Sequence, residues 1–293
     1  MQQETGKPET SRKLVDIRSV IASKNPRLLR LIPPFIIRYL KRILHEQKVN
    51  EVLNRLEKVE GLEFIAAVLE EFGAVIKVEG IDNIPKEGKA IILSNHPLGG
   101  LDGLALMHVV GQIRRDIIFP VNDLLMNIPN LQGLFIPINK HGSNAANVRI
   151  FDESFASDKL LLYFPAGLCS RKQGGQIIDL DWKKGIISRA RRYQRDVIPA
   201  HISGRNSAFF YNLANFRKRA GIGTNIEMLY LVDEMVKQKN KEIVITFGKV
   251  VPHSVFDRSI RDAEWAALIR EHTYKLAEDK DVEFHLNVKA KSE

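Results

Sequence analysis

From residue 74 onward, short apolar runs bounded by turn residues alternate with stretches of helical spacing. AVIKVEG (74–80) alternates like a strand, and KAIILSN (89–95) is a short apolar run between breakers, the pattern of a buried strand. DIIFPVN (116–122), LFIPIN (134–139), KLLLYFPAG (159–167), DVIPAHISG (196–204) and KEIVITFGKVV (241–251) also read as strands. Helical character fills 103–113, 143–157, 183–194 and 261–279. Such alternation predicts an α/β fold, with a mixed, largely parallel sheet covered by helices and right-handed crossovers between sequential parallel strands.

The texture before residue 74 differs. Residues 14–75 carry helical periodicity, with Leu53, Leu56 and Val59 at helical spacing and Gly61 and Gly73 as breaks. The expected organisation is a basic helical N-terminal extension over 1–73 and an α/β domain over 74–293. No internal repeat or low-complexity segment is visible.

Charge is where composition matters. The net charge is +9, which points to a polyanionic partner, either nucleic acid or an anionic lipid surface. From Lys24 to Arg42 there are six basic residues and no acidic one, interleaved with Leu, Ile, Phe and Tyr. Cations beside large apolar groups suit a segment lying at the headgroup level of a membrane. A packing helix with a basic outer edge is the plainer alternative. The richest apolar stretch, LLRLIPPFIIRYL (28–40), is interrupted by Arg30, Pro33, Pro34 and Arg38, so no membrane-spanning segment is expected. The N-terminus is polar and lacks the apolar run of a secretory signal. A single cysteine, Cys169, allows no intrachain disulfide and fits a reducing compartment. No RNA-recognition, helix-turn-helix or zinc-finger signature accompanies the basic charge, which disfavours nucleic acid.

Residues 94–103 read SNHPLGGLDG. His96 follows directly on the strand 89–95, and in open α/β sheets ligand sites gather at the carboxyl ends of strands. Neither a helix nor a strand brings residues six apart into contact. For His96 and Asp102 to meet, the backbone between them must fold back, and Pro97, Gly99 and Gly100 permit that. A carboxylate bonded to one imidazole nitrogen fixes the tautomer and leaves the other free to take a proton. That is a general base for a hydroxyl. A capping aspartate beside an idle strand-end histidine is the bland reading. A metal site from His96, Asp102 and His108 matches no defensible ligand spacing.

NHPLGGLDG resembles the first signature of the glycerolipid acyltransferases, the family of 1-acyl-glycerol-3-phosphate acyltransferases, with one more residue between His96 and Asp102 than is usual there. Its H-P-x-G-x-x-D-G form resembles the hemolysin-like or lyso-ornithine-lipid acyltransferase branch. Three further blocks follow in family order. GLFIPINK (133–140) resembles the second motif, with Lys140 where arginine is usual. FPAGLCSR (164–171) resembles the third, FPEGTRS: Phe164, Pro165, Gly167 and Ser170 match, Ala166 and Cys169 replace Glu and Arg, and Arg171 supplies the displaced cation. VIPAHISG (197–204) resembles the fourth, with Pro199 on an apolar strand.

The resemblance implies an O-acyltransferase. His96 would deprotonate the acceptor hydroxyl, which attacks a thioester of acyl carrier protein or coenzyme A, while Asp102 orients His96. Backbone N–H groups around Gly167 would stabilise the oxyanion. Lys140, Phe164, Pro165, Gly167, Ser170 and Arg171 would line the substrate site, with Lys140 and Arg171 holding an anionic headgroup. No cofactor and no metal are implied. The implied acceptor is lysophosphatidic acid or a monoacylated amino-acid lipid, such as an N-acylated ornithine or glycine lipid with a free 3-hydroxyl. The implied location is peripheral, on the cytoplasmic face of the inner membrane. The competing readings are a non-catalytic membrane-associated protein of the same fold and, less favoured, a nucleic-acid-binding protein.

Overall fold

The computed structural model describes residues 14–122, 125–138 and 145–285. Nine strands are described: β1 (Val75–Glu79), β2 (Ala90–Ser94), β3 (Ile117–Val121), β4 (Phe135–Pro137), β5 (Leu160–Tyr163), β6 (Arg171–Gln173), β7 (Gln176–Ile178), β8 (Asp196–Ile202) and β9 (Glu242–Phe247). Helices α1 (Ile17–Lys24), α2 (Pro26–Leu31), α3 (Pro34–Ile43), α4 (Glu46–Arg55) and α5 (Gly61–Glu71) precede the first strand. The later helices are α6 (Gly100–Gly111), α7 (Ala145–Ala156), α8 (Gly185–Arg192), α9 (Ala208–Arg219), α10 (Leu231–Lys237) and α11 (Asp262–Lys275).

Seven strands form one sheet in the order β1-β9-β8-β2-β5-β3-β4. Every neighbouring pair is parallel except β8 and β9. The sheet is therefore mixed and largely parallel, as the alternation of elements predicts. Strands β2 and β5 are almost wholly apolar because both faces are covered. On β2, Ile92 enters the core under α5 and α6, whereas Ile91 and Leu93 enter the core under α8 and α11. Leu160 and Leu162 against Leu161 on β5 repeat the division. Arg195, fully buried, ties the layers together at the start of β8. Its guanidinium donates to the carbonyls of Ser154, Phe155 and Ser157 at the end of α7 and to Ala90 on β2. Cations suit a helix C-terminus, where carbonyls lack intrahelical partners.

The N-terminal helices reach this same core. Leu53 of α4 and Phe64, Ile65, Val68 and Leu69 of α5 pack in it. A methyl placed on Gly111 of α6 would lie 2.7 Å from Leu62 Cδ2, so glycine is what lets α5 and α6 close. α3 meets the later chain through the Tyr39 and Tyr230 hydroxyls, 2.6 Å apart.

Differences from expectation are local. The strand read at 159–167 stops at Tyr163 because the chain turns there, and the strand read at 241–251 stops at Phe247. Helix α6 starts at Gly100 rather than 103, since Asp102 serves its first turn. The hairpin β6–β7 and helices α9 and α10 were outside the sequence reading. Gly174 and Gly175, with φ of 54° and 87°, form the two-residue turn that closes the hairpin.

Candidate active site

Strand β2 delivers His96 to the carboxyl-terminal edge of the sheet. Asn95 fixes that strand end: its side chain donates to Ile202 O (2.9 Å) and accepts from Ile202 N (2.7 Å) on β8. The chain then reverses through Gly99, with φ 88° and ψ −95°, a conformation open to glycine alone. A methyl there would also lie 2.8 Å from Leu231 Cδ2. The reversal places Asp102 in the first turn of α6 and beneath the imidazole. His96 Nδ1 and Asp102 Oδ2 are 3.0 Å apart.

Asp102 is fully buried. It accepts from the N–H groups of Leu98 (2.8 Å), Gly99 (3.2 Å) and Gly103 (2.8 Å) as well as from the imidazole. These donors and the positive end of α6 suit a negative charge. A carboxylate so surrounded can only accept, so Nδ1 carries the proton and Nε2 keeps its lone pair. Nε2 has no hydrogen-bond partner among the described residues, and the His96 side chain remains 16% exposed.

The segment after β5 wraps this imidazole. Phe164 stacks on it, with centroids 4.1 Å apart and planes 17° apart, and meets Phe119 edge-on. A turn follows, closed by Gly167 N–H donating to Phe164 O (3.0 Å), with Gly167 at φ 66°. Pro165 is buried, and its carbonyl accepts from Lys183 N (3.2 Å). Since the Gly167 N–H is committed to the turn, the donors left around it are the N–H groups of Leu168 and Cys169. Neither is bonded among the described residues.

Ser170 returns the loop to His96: its N–H donates to His96 O (2.7 Å), and its hydroxyl donates to Asp179 Oδ1 (2.6 Å). Asp179 also accepts the His96 N–H (3.1 Å) and the Trp182 indole N–H (2.9 Å). It is fully buried. Burial pushes its carboxyl up from the ordinary range, against these three donors. The histidine thus has one carboxylate under its ring and a second behind its backbone.

The expected substrate-site residues fall into three groups. Phe164 and Ser170 contact His96, and Pro165 and Gly167 form the turn between them. Lys140 lies outside the described residues. Arg171 turns away: it is buried, donates to Glu227 Oε1 (2.8 Å) and to Cys169 O (2.6 Å), and stacks over Phe210. Glu227, fully buried, is also held by Arg217 (2.9 Å). This Arg171 is a clamp on its own loop rather than a free headgroup cation. The Cys169 thiol is buried, and burial pushes it up to about 11. Asp179, Trp182 and Glu227 were not singled out from sequence for roles here. The signal for Asp179 was present: a carboxylate between apolar residues in IIDLDW must find buried donors.

The family model described as Acyltransferase matches residues 19–283. The lyso-glycine lipid O-acyltransferase of Bacteroides thetaiotaomicron is 45% identical over 265 residues, covering 90% of this chain and 97% of that protein. The protein of the same name from Phocaeicola vulgatus is 43% identical, with 90% and 95% coverage. Among solved structures, a 1-acyl-sn-glycerophosphate acyltransferase from Thermotoga maritima superposes with a TM-score of 0.46 at 17% identity, covering 82% of this chain and 95% of that one. Matched by the family model along nearly its whole length, and by relatives of which it covers almost all, this chain belongs to the acyltransferase family.

Proposed function

We propose that this acyltransferase moves a fatty acyl group from a thioester, of acyl carrier protein or coenzyme A, to the free hydroxyl of a lyso-glycine lipid, with His96 as general base. The observation that carries the reading is the His96–Asp102 pair. One imidazole nitrogen is fixed by a buried carboxylate, and the other is open at the sheet edge. Nε2 takes the acceptor's hydroxyl proton as its oxygen bonds to the thioester carbonyl carbon. The tetrahedral intermediate then expels the thiolate, which receives that proton from the imidazolium. Asp102 holds the ring in place and stabilises its charged form. Leu168 and Cys169 N–H supply the oxyanion donors. The names of the relatives support glycine lipid over lysophosphatidate as acceptor.

The enzyme works as a peripheral protein on an anionic membrane, at the cytoplasmic face of the inner membrane. Leu31, Phe35 and Tyr39 on α2 and α3 are exposed, beside the exposed Arg30, Arg38 and Arg42. Phe209, also exposed, joins them through the Tyr230 ring, 4.9 Å from its own. No helix among the described residues is long and apolar enough to cross a membrane. This face suits insertion to headgroup depth.

The test is transfer by purified protein from labelled acyl carrier protein and acyl coenzyme A. The acceptors are N-acylated glycine, N-acylated ornithine and lysophosphatidic acid, and His96→Ala runs alongside. The expected result is transfer to the glycine lipid that falls by about 10²–10⁴-fold in the variant. Equal transfer by the variant removes His96 as base, and transfer only to lysophosphatidic acid replaces the acceptor.

A further inference from the structure

A cavity of about 100 Å³ opens at the same sheet edge, between the end of β5 and the start of α8. It is lined by Phe151, Tyr163, Lys183, Gly185, Ile186 and Arg189. That is roughly three times the ~30 Å³ share of one water, enough for a carboxymethyl group. Its two cations differ in kind. Arg189 is spent: its Nε donates to Asp152 (3.0 Å), and its guanidinium lies over Phe151. The Lys183 ammonium has no carboxylate within salt-bridge distance among the described residues, although its backbone is fixed by Pro165 O. Tyr163 likewise has no hydrogen-bond partner for its hydroxyl among the described residues. Burial raises the phenol, which keeps it a proton donor.

Lys183 also lies against the turn that follows Phe164. A methyl on Gly167 would lie 3.2 Å from its Nζ and 3.6 Å from its Cε. Gly167 closes a turn on Phe164, and the ends of such a turn lie within about 7 Å. Phe164 in turn stacks on His96. So an unpaired ammonium stands one tight turn from the ring that covers the base. With Arg171 committed to Glu227, Lys183 is a cation at this edge with no carboxylate partner among the described residues.

We propose that Lys183, with the Tyr163 hydroxyl, binds the carboxylate of the acceptor and so selects an N-acylated glycine over uncharged analogues. This rests on the reading of the acceptor given above. In a 3-hydroxyacyl glycine, about five bonds separate the hydroxyl-bearing carbon from the carboxylate carbon, so roughly 6–7 Å when extended. With the hydroxyl at His96 Nε2, the proposal requires the carboxylate to pass over the 164–167 turn to reach Lys183.

The test compares wild type, Lys183→Gln, Lys183→Arg and Tyr163→Phe with a 3-hydroxyacyl glycine and its glycinamide counterpart. Lys183→Gln is expected to raise the KM for the carboxylate about tenfold, leaving kcat, the glycinamide KM and the donor KM in place. The wild-type preference for carboxylate then disappears, Lys183→Arg restores most of it, and Tyr163→Phe loses a smaller part. An unchanged carboxylate KM overturns the proposal. A rise in the donor KM instead assigns Lys183 to a donor phosphate and also overturns it. Binding is read separately from turnover as the rise in Tm with N-octanoylglycine. A rise lost in Lys183→Gln supports the site even if no acceptor is turned over, a result that would remove the functional reading alone. An equal rise in both proteins rejects the site.

Discussion

The imidazole of His96 lies flat against the ring of Phe164, with centroids 4.1 Å apart and planes inclined by 17°. Asp102 restrains the imidazole in its own plane through Nδ1, and Phe164 restrains it from the face. Together they leave Nε2 one direction. Phe164 is itself wedged edge-on against Phe119, at 5.3 Å, so the stack rests on the core.

If His96 is the base proposed above, replacing Phe164 should act on kcat through the aim of that base. Phe164→Leu keeps an apolar neighbour but loses the flat face, and the expected effect is a fall in kcat of roughly tenfold with little change in KM. Phe164→Tyr keeps the face and is expected to stay within about twofold. Steady-state kinetics on the two variants decide it. Equal activity in Phe164→Leu would mean that Asp102 alone orients the ring.

Gly99 is constrained twice, by its backbone and by Leu231. At φ 88° and ψ −95° any side chain is strained, and a methyl would lie 2.8 Å from Leu231 Cδ2. Gly99→Ala is expected to cost about 2–3 kcal/mol in urea unfolding and to lower kcat, because the same turn carries the Leu98 and Gly99 N–H groups to Asp102. Adding Leu231→Ala relieves the clash but not the strain. The double variant should recover part of the kcat loss and none of the strain; full recovery would show that only the clash mattered.

How far these relationships could be read from the sequence depends on their range. The sheet was legible because β2, β3, β5 and β8 are short apolar runs between breakers, and the local run of residues decides that pattern. The His96–Asp102 contact was legible because proline and glycines between them left few ways to fold. Arg171 was not, because its partner Glu227 lies far along the chain, in a segment with no strong periodicity. Asp179 was hidden similarly, by the hairpin that brings it back to His96. That hairpin had a usable mark, the Gly174-Gly175 pair between two extended tripeptides.

His201 on β8 predicts a pH dependence of stability. Burial lowers its imidazole from 6.5 to about 4. Between those values the unfolded chain binds a proton that the folded chain does not, so stability falls as pH drops through this window and is flat above it. The contribution is on the order of 3 kcal/mol at its largest. Burial shifts His272 the same way, so a slope remains without His201. His201→Gln is expected to flatten the unfolding free energy between about pH 6.5 and 4.5, measured by urea titration at several pH values. Parallel curves for the two proteins would show that His201 is hydrated in the folded state.

Arg171 separates a binding role from a structural one. Its guanidinium and that of Arg217 share the fully buried Glu227, at 2.8 and 2.9 Å. Removing one partner of a buried ion pair commonly costs about 3–5 kcal/mol, less here because Arg217 still holds Glu227, whereas removing a headgroup ligand at the site weakens substrate binding and spares the fold. Arg171→Leu is accordingly expected to lower Tm by several degrees while the acceptor KM stays within about twofold at a temperature where the variant is folded. Arg171→Lys should lose less stability, because it keeps the charge but not the fork that reaches both Glu227 and Cys169 O. Glu227→Gln combined with Arg171→Leu removes both charges of the pair. It should be less destabilised than the sum of the single changes, since Glu227→Gln alone strands the buried Arg171 guanidinium and Arg171→Leu alone leaves Glu227 with Arg217 as its one cation. A normal Tm with a large rise in KM would instead return Arg171 to the acceptor site.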